Sequence, residues 1–465
     1  DIPSYLMMAW LPPIIFGLAI GALHGLNGWF VYKIAFCLSD RPEGVGKHGL
    51  SALAAVTGYC GAANISEIGT TFNDNVTSLF VLAGLLVIVS SLAEREAREK
   101  VSKKTLLLSG FLFGSAAGLK LTVGLYCFPL VLCWLFFRSG WQTRIGNGLW
   151  TALAVGFGFL ASGGFWAATL WKHFGNPLFP FYNNVFRSPF AEPSSFGGSP
   201  FFPRDTLQTL FYPFYFVKRQ HLVNELTFRD ARLAVCYAAL LLMIGTVLYK
   251  RYANKKKPAN VVVPPGKNEA LSFLIIFFVL AYAFWQGLFS IYRYAVPLEL
   301  LSPVFIIAVL TRTFTSRKVV TRSAVGLFLL LLVTTIPPRW GRIAWSDTYF
   351  GVTIPRFRDI DRSIVVTASR DPVSYVIPSF PAGARFLGLN TNFTKPSSRS
   401  ALQERMRAIL RDAEGPLYLL YRETPGRDYD EVLARYNLRV LRSQSQKLFT
   451  RLDDDLFLAP LARTK

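Results

Sequence analysis

The chain has 465 residues, of which 52% are hydrophobic and 17% charged, and its mean hydropathy is +0.34. This composition excludes an ordinary soluble enzyme and is typical of a helical protein that crosses a membrane several times. The formal net charge of +22 does not indicate a nucleic-acid partner, because many Lys and Arg residues lie in short loops between apolar runs. The histidines are scattered and the cysteines lie inside apolar runs, without the spacing of zinc ligands.

Charge-poor apolar runs recur along the first 337 residues and predict about ten membrane helices. The runs cover residues 11–38, 49–63, 76–92, 105–118, 121–137, 147–170, 231–249, 270–290, 296–311 and 323–336. The fourth and fifth runs are short for a full span, so we expect them to be half-length or tilted. The chain begins with Asp1 rather than Met, and we expect a further segment ahead of it.

A long segment without a clear hydropathy pattern, residues 171–230, is rich in Pro, Phe and Tyr. Aromatic side chains are enriched at the boundary between a membrane and water. We therefore expect this segment to lie along the outer membrane interface and to border the active site.

The C-terminal region, residues 338–465, has a different composition from the 1–337 membrane region. Short β-rich runs alternate in it with helical patterns, which predicts a small mixed α/β domain. The strand candidates are 363–368, 416–421, 438–441 and 447–450, and the helix candidates are 399–413 and 428–436.

The distribution of positive charge predicts the orientation. Lys and Arg concentrate in alternate loops, whereas the short loops on the other side contain only Lys120 and Arg293. Cytoplasmic loops carry the excess of positive charge. The connector between the second and third runs, Arg293 and the C-terminal domain are therefore predicted to lie outside the cytoplasm.

That connector reads E-I-G-T-T-F-N-D from Glu67 to Asp74 and carries two acids and no base. Acidic residues at a membrane boundary are candidates for a functional site, because they are costly there. The alternative is a solvated loop in which Asp74 caps the following helix.

Other polar residues are predicted on the same side. Lys120 stands between two short apolar runs, and Arg293 follows the eighth. A guanidinium group can bind two phosphate oxygens at once, which favours phosphate binding by Arg293. The alternatives are that Lys120 snorkels or pairs with an acid, and that Glu299 pairs with Arg293. The further substrate-binding candidates are Asn73, Tyr292, Tyr294 and Glu299.

Acids beside phosphate-binding bases at a membrane surface suggest transfer of a sugar from a lipid phosphate to an acceptor hydroxyl. An acid would accept the proton of the hydroxyl, and the bases would stabilise the leaving phosphate. A divalent cation, Mg²⁺ or Mn²⁺, is compatible with this chemistry but not required by it.

The order of the runs resembles that of bacterial GT-C glycosyltransferases, which are polytopic membrane enzymes. The resemblance is carried by E-I-G-T-T-F-N-D, G-L-K-L-T, F-G-N-P-L-F-P-F-Y-N and R-Y-A-V-P-L-E. It implies a polyprenyl-phosphate donor, an extracytoplasmic glycan, lipid or protein acceptor, and transfer of a hexose or pentose. It also implies the bacterial inner membrane, with a periplasmic C-terminal domain.

In that superfamily the principal catalytic Asp usually follows the first membrane helix, and no such loop is found here unless Asp1 is its remnant. By resemblance, Glu67 or Asp74 would be the second acidic element of the catalytic site. Lys120 and Arg293 would hold the donor phosphate. The alternative functions are a transporter or flippase, and a non-catalytic assembly protein of envelope polysaccharide synthesis.

Overall fold

The computed structural model describes residues 2–95, 100–137, 139–193, 200–219, 221–253, 265–342, 344–423, 429–453 and 455–464. The chain divides into two compact units, each with its own hydrophobic core. The first unit comprises residues 1–10, 15–165 and 198–340, and the second comprises residues 11–14, 166–197 and 341–465.

Before residue 340 the described elements are helices, and each of the ten apolar runs forms one of them. The helices are α1 (Ile2–Trp10), α2 (Pro13–Leu38), α3 (Val45–Tyr59), α4 (Ala62–Glu67), α5 (Asp74–Glu94), α6 (Lys103–Leu119), α7 (Gly124–Cys133), α8 (Trp141–Phe174), α9 (Asn183–Phe186), α10 (Thr206–Leu210), α11 (Tyr212–Lys218), α12 (Arg232–Ala253), α13 (Pro265–Leu288), α14 (Val296–Thr313) and α15 (Arg317–Thr334).

Six helices of the described chain are long and apolar enough to cross a membrane. They are α2, α5, α8, α12, α13 and α14 together with the turn before it. The other apolar runs form α3, α6, α7 and α15, which are shorter or less apolar. The chain is therefore a multi-pass membrane protein, and the total of ten spans stays a prediction.

Helix α14 lies at the centre of the first unit. In its most apolar stretch 83% of the residues are buried, against 17% in α8. Helices α6 and α8 pack closely because small residues face each other. A Cβ atom on Gly114 would lie 2.0 Å from the carbonyl oxygen of Val155, and one on Gly158 would lie 2.1 Å from that of Phe111.

The second unit contains the α/β region that the sequence predicted. Its strands form one mixed sheet in the order β2-β1-β3-β6-β4, with β5 paired to β6. The strands are β1 (Ile364–Thr367), β2 (Arg385–Gly388), β3 (Leu417–Arg422), β4 (Leu438–Val440), β5 (Gln446–Lys447) and β6 (Leu456–Arg463), and the helices are α16 (Ala401–Arg411) and α17 (Tyr429–Ala434).

Two strands of this sheet were missed in the sequence. Strand β6 contains Pro460, which cannot donate a hydrogen bond to a neighbouring strand and therefore argues against a strand. Strand β2 has only four residues and ends at Gly388. A parallel strand as short as β2 is recognisable only from its pairing with β1, which the sequence does not reveal.

The aromatic segment 171–230 is divided between the two units. In the second unit, Asn183 donates to the carbonyl oxygens of Ser188 and Ala191, both at 2.9 Å. The carbonyl oxygen of Pro189 accepts a hydrogen bond from the backbone of Ala401, at the start of α16. In the first unit, Tyr212 and Phe216 are fully buried. The position of this segment relative to a membrane remains a prediction.

Candidate active site

Glu67 and Asp74 lie at the two ends of a tight connection between α4 and α5. Gly69 and Asn73 adopt positive φ angles of 76° and 64°, which turn the chain back within a few residues. The side chains of Glu67 and Asp74 are only 1% and 4% exposed. The alternative of a solvated loop is therefore wrong for these two acids.

Asp74 forms an ion pair with Lys120. The Asp74 Oδ1 atom lies 2.6 Å from Lys120 Nζ, which also donates to the carbonyl oxygen of Phe72 at 2.8 Å. Asp74 is the first residue of α5, and the preceding Asn73 is the N-cap, without a side-chain capping bond. The carboxylate of Asp74 thus binds a cation rather than capping the helix.

Glu67 is a buried acid to which no N–H or hydroxyl group of the described residues donates a hydrogen bond. The same holds for Asp74 Oδ2, and the hydrogen bond open to these oxygens is one between the two carboxyl groups themselves. Burial raises the pKa of Glu67 well above its usual value, and the negative charge of Asp74 raises it further. Lys120 and Arg293 act in the opposite direction, because positive charges favour the carboxylate.

Arg293 reaches the same place from the turn that precedes α14. Its guanidinium carbon lies 5.2 Å from the ring centroid of Phe72, 5.3 Å from Tyr294 and 5.9 Å from Trp340. Lys120 Nζ lies 5.4 Å from the ring centroid of Tyr294. The Nε atom of Arg293 has no hydrogen-bond partner among the described residues.

We call Glu67, Asp74, Lys120 and Arg293 the acid–base cluster. All four were candidates from the sequence, and the structure brings them together from four elements. Two further candidates border the cluster. Tyr294 packs between the two cations. Asn73 accepts a hydrogen bond from the Ser4 hydroxyl at 3.4 Å.

The two remaining candidates, Tyr292 and Glu299, do not belong to this cluster. Glu299 is fully buried and accepts hydrogen bonds from the backbone N–H groups of Ala63 and Asn64, at 3.1 Å and 2.8 Å. It therefore binds the start of α4 and does not pair with Arg293 as the sequence allowed. The ring of Tyr292 is buried 4.6 Å from that of Phe228.

A second group of buried charges was missed in the sequence. Asp230 and Arg232 form an ion pair, and both side chains are 0% exposed. Together with Glu299 they surround the turn between α3 and α4, and we call these three residues the anchor cluster. The available signal was the sequence D-A-R at residues 230–232, an acid and a base at the start of an apolar run.

The described residues contain no group of three or more His, Cys, Asp or Glu side chains able to hold a metal ion. Glu67 and Asp74 offer a pair of carboxyl groups, of which one already binds Lys120. Mg²⁺ is commonly held by one or two carboxylates together with substrate phosphates. The acid–base cluster would thus need phosphate oxygens to complete such a site.

Residues 3–217, slightly less than half of the chain, match the family model of Glycosyltransferase family 87. This region includes Glu67, Asp74 and Lys120. No curated protein and no solved structure matches the chain. Over residues 3–217 the chain is thus similar to Glycosyltransferase family 87, a GT-C-type family of integral membrane glycosyltransferases, which confirms the resemblance seen in the sequence.

Proposed function

We propose that this membrane glycosyltransferase moves a sugar from a polyprenyl-phosphate donor to an acceptor outside the cytoplasm. One observation carries the proposal. Glu67 is a buried acid that receives no hydrogen bond from an N–H or hydroxyl group and can share one only with Asp74, and it lies beside two cations that converge from other elements. Buried polar groups are almost always hydrogen-bonded, so this arrangement favours a ligand that completes it.

Lys120 and Arg293 are proposed to bind the phosphate of the donor. The phosphate leaves with the electron pair of the bond between the anomeric carbon and its oxygen, so negative charge grows on it in the transition state. Cations already in position stabilise that charge without reorganisation. The aromatic rings around Arg293 hold its guanidinium group in place, and this group can bind two phosphate oxygens.

Glu67 and Asp74 are proposed as the acidic residues. The acceptor hydroxyl oxygen bonds to the anomeric carbon as the phosphate leaves, and its proton passes to a carboxylate. In its ionised form Glu67 is a stronger base than an ordinary Glu carboxylate, because burial raises its pKa. Asp74 holds Lys120, so it acts on the phosphate through that cation. Asn73 and Tyr294 would line the site.

The proposed setting is the inner membrane of a bacterium, with the acid–base cluster on the periplasmic side. The charge bias of the short loops supports this orientation. It implies ten spans and puts residues 338–465 on the same side as the cluster. The acceptor, a glycan, lipid or protein of the envelope, would then reach the cluster from the periplasm.

The test uses the full chain in lipid nanodiscs with polyprenyl phosphates that carry radiolabelled hexoses or pentoses. Labelled sugar should pass to material in an envelope extract, with release of polyprenyl phosphate. Glu269→Gln is a matched control, because Glu269 pairs with Arg95 away from the cluster. A parallel reaction with EDTA, restored by Mg²⁺ or Mn²⁺, tests for a metal.

The same preparation distinguishes the alternative functions. A flippase would move the labelled lipid across the bilayer of a proteoliposome without breaking the bond between sugar and phosphate. An assembly protein would do neither. Absence of transfer with every donor, from a folded protein and with active envelope extract, would refute the proposed activity.

A further inference from the structure

We infer that the anchor cluster of Asp230, Arg232 and Glu299 is a positioning device that holds Glu67 at the acid–base cluster through the short helix α4. The two clusters lie at opposite ends of that helix. The inference deepens the proposed function and depends on it only for the activity measurement.

The first step is the start of α4. The first N–H groups of a helix have no partner within it. In α4 the backbone N–H of Ala62 donates to Asp230 at 2.9 Å, and those of Ala63 and Asn64 donate to Glu299 at 3.1 Å and 2.8 Å. Two carboxylates from α14 and from the residues before α12 therefore bind three consecutive amides.

The second step is the end of α3. Arg232 donates to the carbonyl oxygen of Thr57 at 2.8 Å and to that of Cys60 at 2.9 Å. It also pairs with Asp230 and donates to the Thr335 hydroxyl at 2.9 Å. One guanidinium group thus joins the last carbonyl groups of α3 to the acid that binds the start of α4. The turn between the two helices is fixed on both sides.

The third step is the close approach that the turn requires. A Cβ atom on Gly61 would lie 1.9 Å from Glu299 Oε1, so only glycine leaves space for the carboxylate at this position. The backbone of Gly61, with φ −67° and ψ 150°, is one that alanine adopts readily. A Gly61→Ala variant would therefore disturb the contact with Glu299 and nothing in the local backbone conformation.

The fourth step is the length of α4. A helix of six residues does not form by itself in water, because its first turn is costly to nucleate. The anchor cluster supplies the missing stabilisation at the first residues of α4. Glu67 is the last residue of the same helix, so its place beside Asp74 and Lys120 depends on how α4 is held.

Amide hydrogen exchange tests this inference without any activity. Peptides that cover residues 58–66 should exchange slowly in the native chain in nanodiscs. They should exchange at least tenfold faster in Glu299→Gln and in Gly61→Ala, and at the native rate in Glu269→Gln. Fast exchange in the native chain, or unchanged exchange in both variants, would refute the anchor.

The pH profile of sugar transfer tests the link to Glu67. The charged and titratable groups that face Glu67 are Asp74, Lys120, Arg293 and Glu299. A loosened α4 lets water reach Glu67, so the acid limb of the activity should move to lower pH. Losing protein by unfolding lowers the rate but does not move the limb.

Glu299→Asp distinguishes an effect of the negative charge from an effect of the contacts with α4. The shorter side chain keeps the charge but cannot reach the amides of both Ala63 and Asn64. We expect Glu299→Asp and Gly61→Ala to behave like Glu299→Gln, with kcat/KM about tenfold lower, as for a lost charged hydrogen bond. If Glu299→Asp and Gly61→Ala keep the native pH profile, Glu299 acts by charge alone and the inference fails. Absence of transfer in the native chain refutes the proposed activity and leaves the exchange result valid.

Discussion

The two ends of α4 carry two groups of buried charges that differ in one respect. In the anchor cluster, Asp230, Arg232 and Glu299 are 0% exposed, and no polar atom of their side chains lacks a partner. In the acid–base cluster, no N–H or hydroxyl group donates to either oxygen of Glu67 or to one oxygen of Asp74, and these oxygens can bond only between the two carboxyl groups. Acidic and basic residues therefore bind backbone groups at the start of α4, whereas at its end the acids lack such donors.

This difference is a guide to function. A buried charge is tolerated when backbone groups and an opposite charge satisfy it, and a structural role is then enough to explain its presence. A buried charge without partners costs stability, and such a cost persists in proteins mainly at functional sites. The difference thus indicates a structural role for the anchor cluster and supports the proposal that the acid–base cluster carries the chemistry.

The largest effect is expected from Arg232→Ala. This change leaves the carboxylate of Asp230 buried without its cation and frees the carbonyl oxygens of Thr57 and Cys60. Breaking a buried ion pair in this way costs about 3–5 kcal/mol of stability. Denaturant unfolding followed by tryptophan fluorescence should show the loss of stability. An unchanged unfolding transition would contradict the structural role of the anchor cluster.

The next effect is expected from Arg293→Ala, which should impair transfer rather than folding. Loss of one charge-stabilising donor costs about 2–4 kcal/mol in the transition state, or roughly 30-fold to 1,000-fold in kcat. Arg293→Lys keeps a positive charge but cannot bind two oxygens at once, so its kcat should lie between those of the native chain and of Arg293→Ala. A fully active Arg293→Ala enzyme would exclude this residue from the phosphate site.

A smaller effect is expected from Asp74→Asn. The amide keeps the shape of the side chain but loses the charge that holds Lys120 Nζ at 2.6 Å. A hydrogen bond between charged groups contributes about 1.5–3 kcal/mol, so kcat/KM for the donor should fall roughly 10-fold to 150-fold. Native circular dichroism with native activity would instead mean that Asp74 only serves the start of α5.

The membrane helices and the acid–base cluster were accessible from the sequence for a simple reason. Hydropathy predicts the helices of the ten apolar runs directly, because a helix that crosses a membrane must be apolar along most of its length. Isolated charges at the ends of such runs are then conspicuous, as Lys120 and Arg293 were. Charge bias predicts that Lys120 and Arg293 lie on one side of the membrane, but it gives no distance between them.

The anchor cluster was not accessible in the same way. Asp230 and Arg232 look like ordinary boundary residues, and their partners are backbone groups of α3 and α4 that leave no mark in a sequence. Glu299 was grouped with Arg293, because Arg293 is near in sequence, whereas the backbone groups that Glu299 binds belong to the distant residues Ala63 and Asn64. Pairing between distant elements depends on helix packing, which composition and periodicity do not encode.

The smallest effect is expected from Glu→Gln substitutions at the two ends of α4, Glu67→Gln and Glu299→Gln. They compare the two clusters directly, because the chemical change is the same at both. The folded-state pKa of Glu67 is raised by burial and by Asp74. The folded state therefore holds its proton to higher pH than the unfolded state does. The stability that this proton contributes is complete below the usual pKa of Glu, about 4.3, and is lost as pH rises towards the raised value.

Glu67→Gln removes this loss, since an amide does not ionise. Its free energy of unfolding should match that of the native chain near pH 4 and exceed it near pH 8. Glu299→Gln should instead be less stable than the native chain near pH 8, because its backbone contacts are weakened. The measurement is thermal unfolding of both variants at the two pH values. If Glu67→Gln is destabilised near pH 8 as Glu299→Gln is, Glu67 serves the fold, and the distinction between the two ends of α4 is lost.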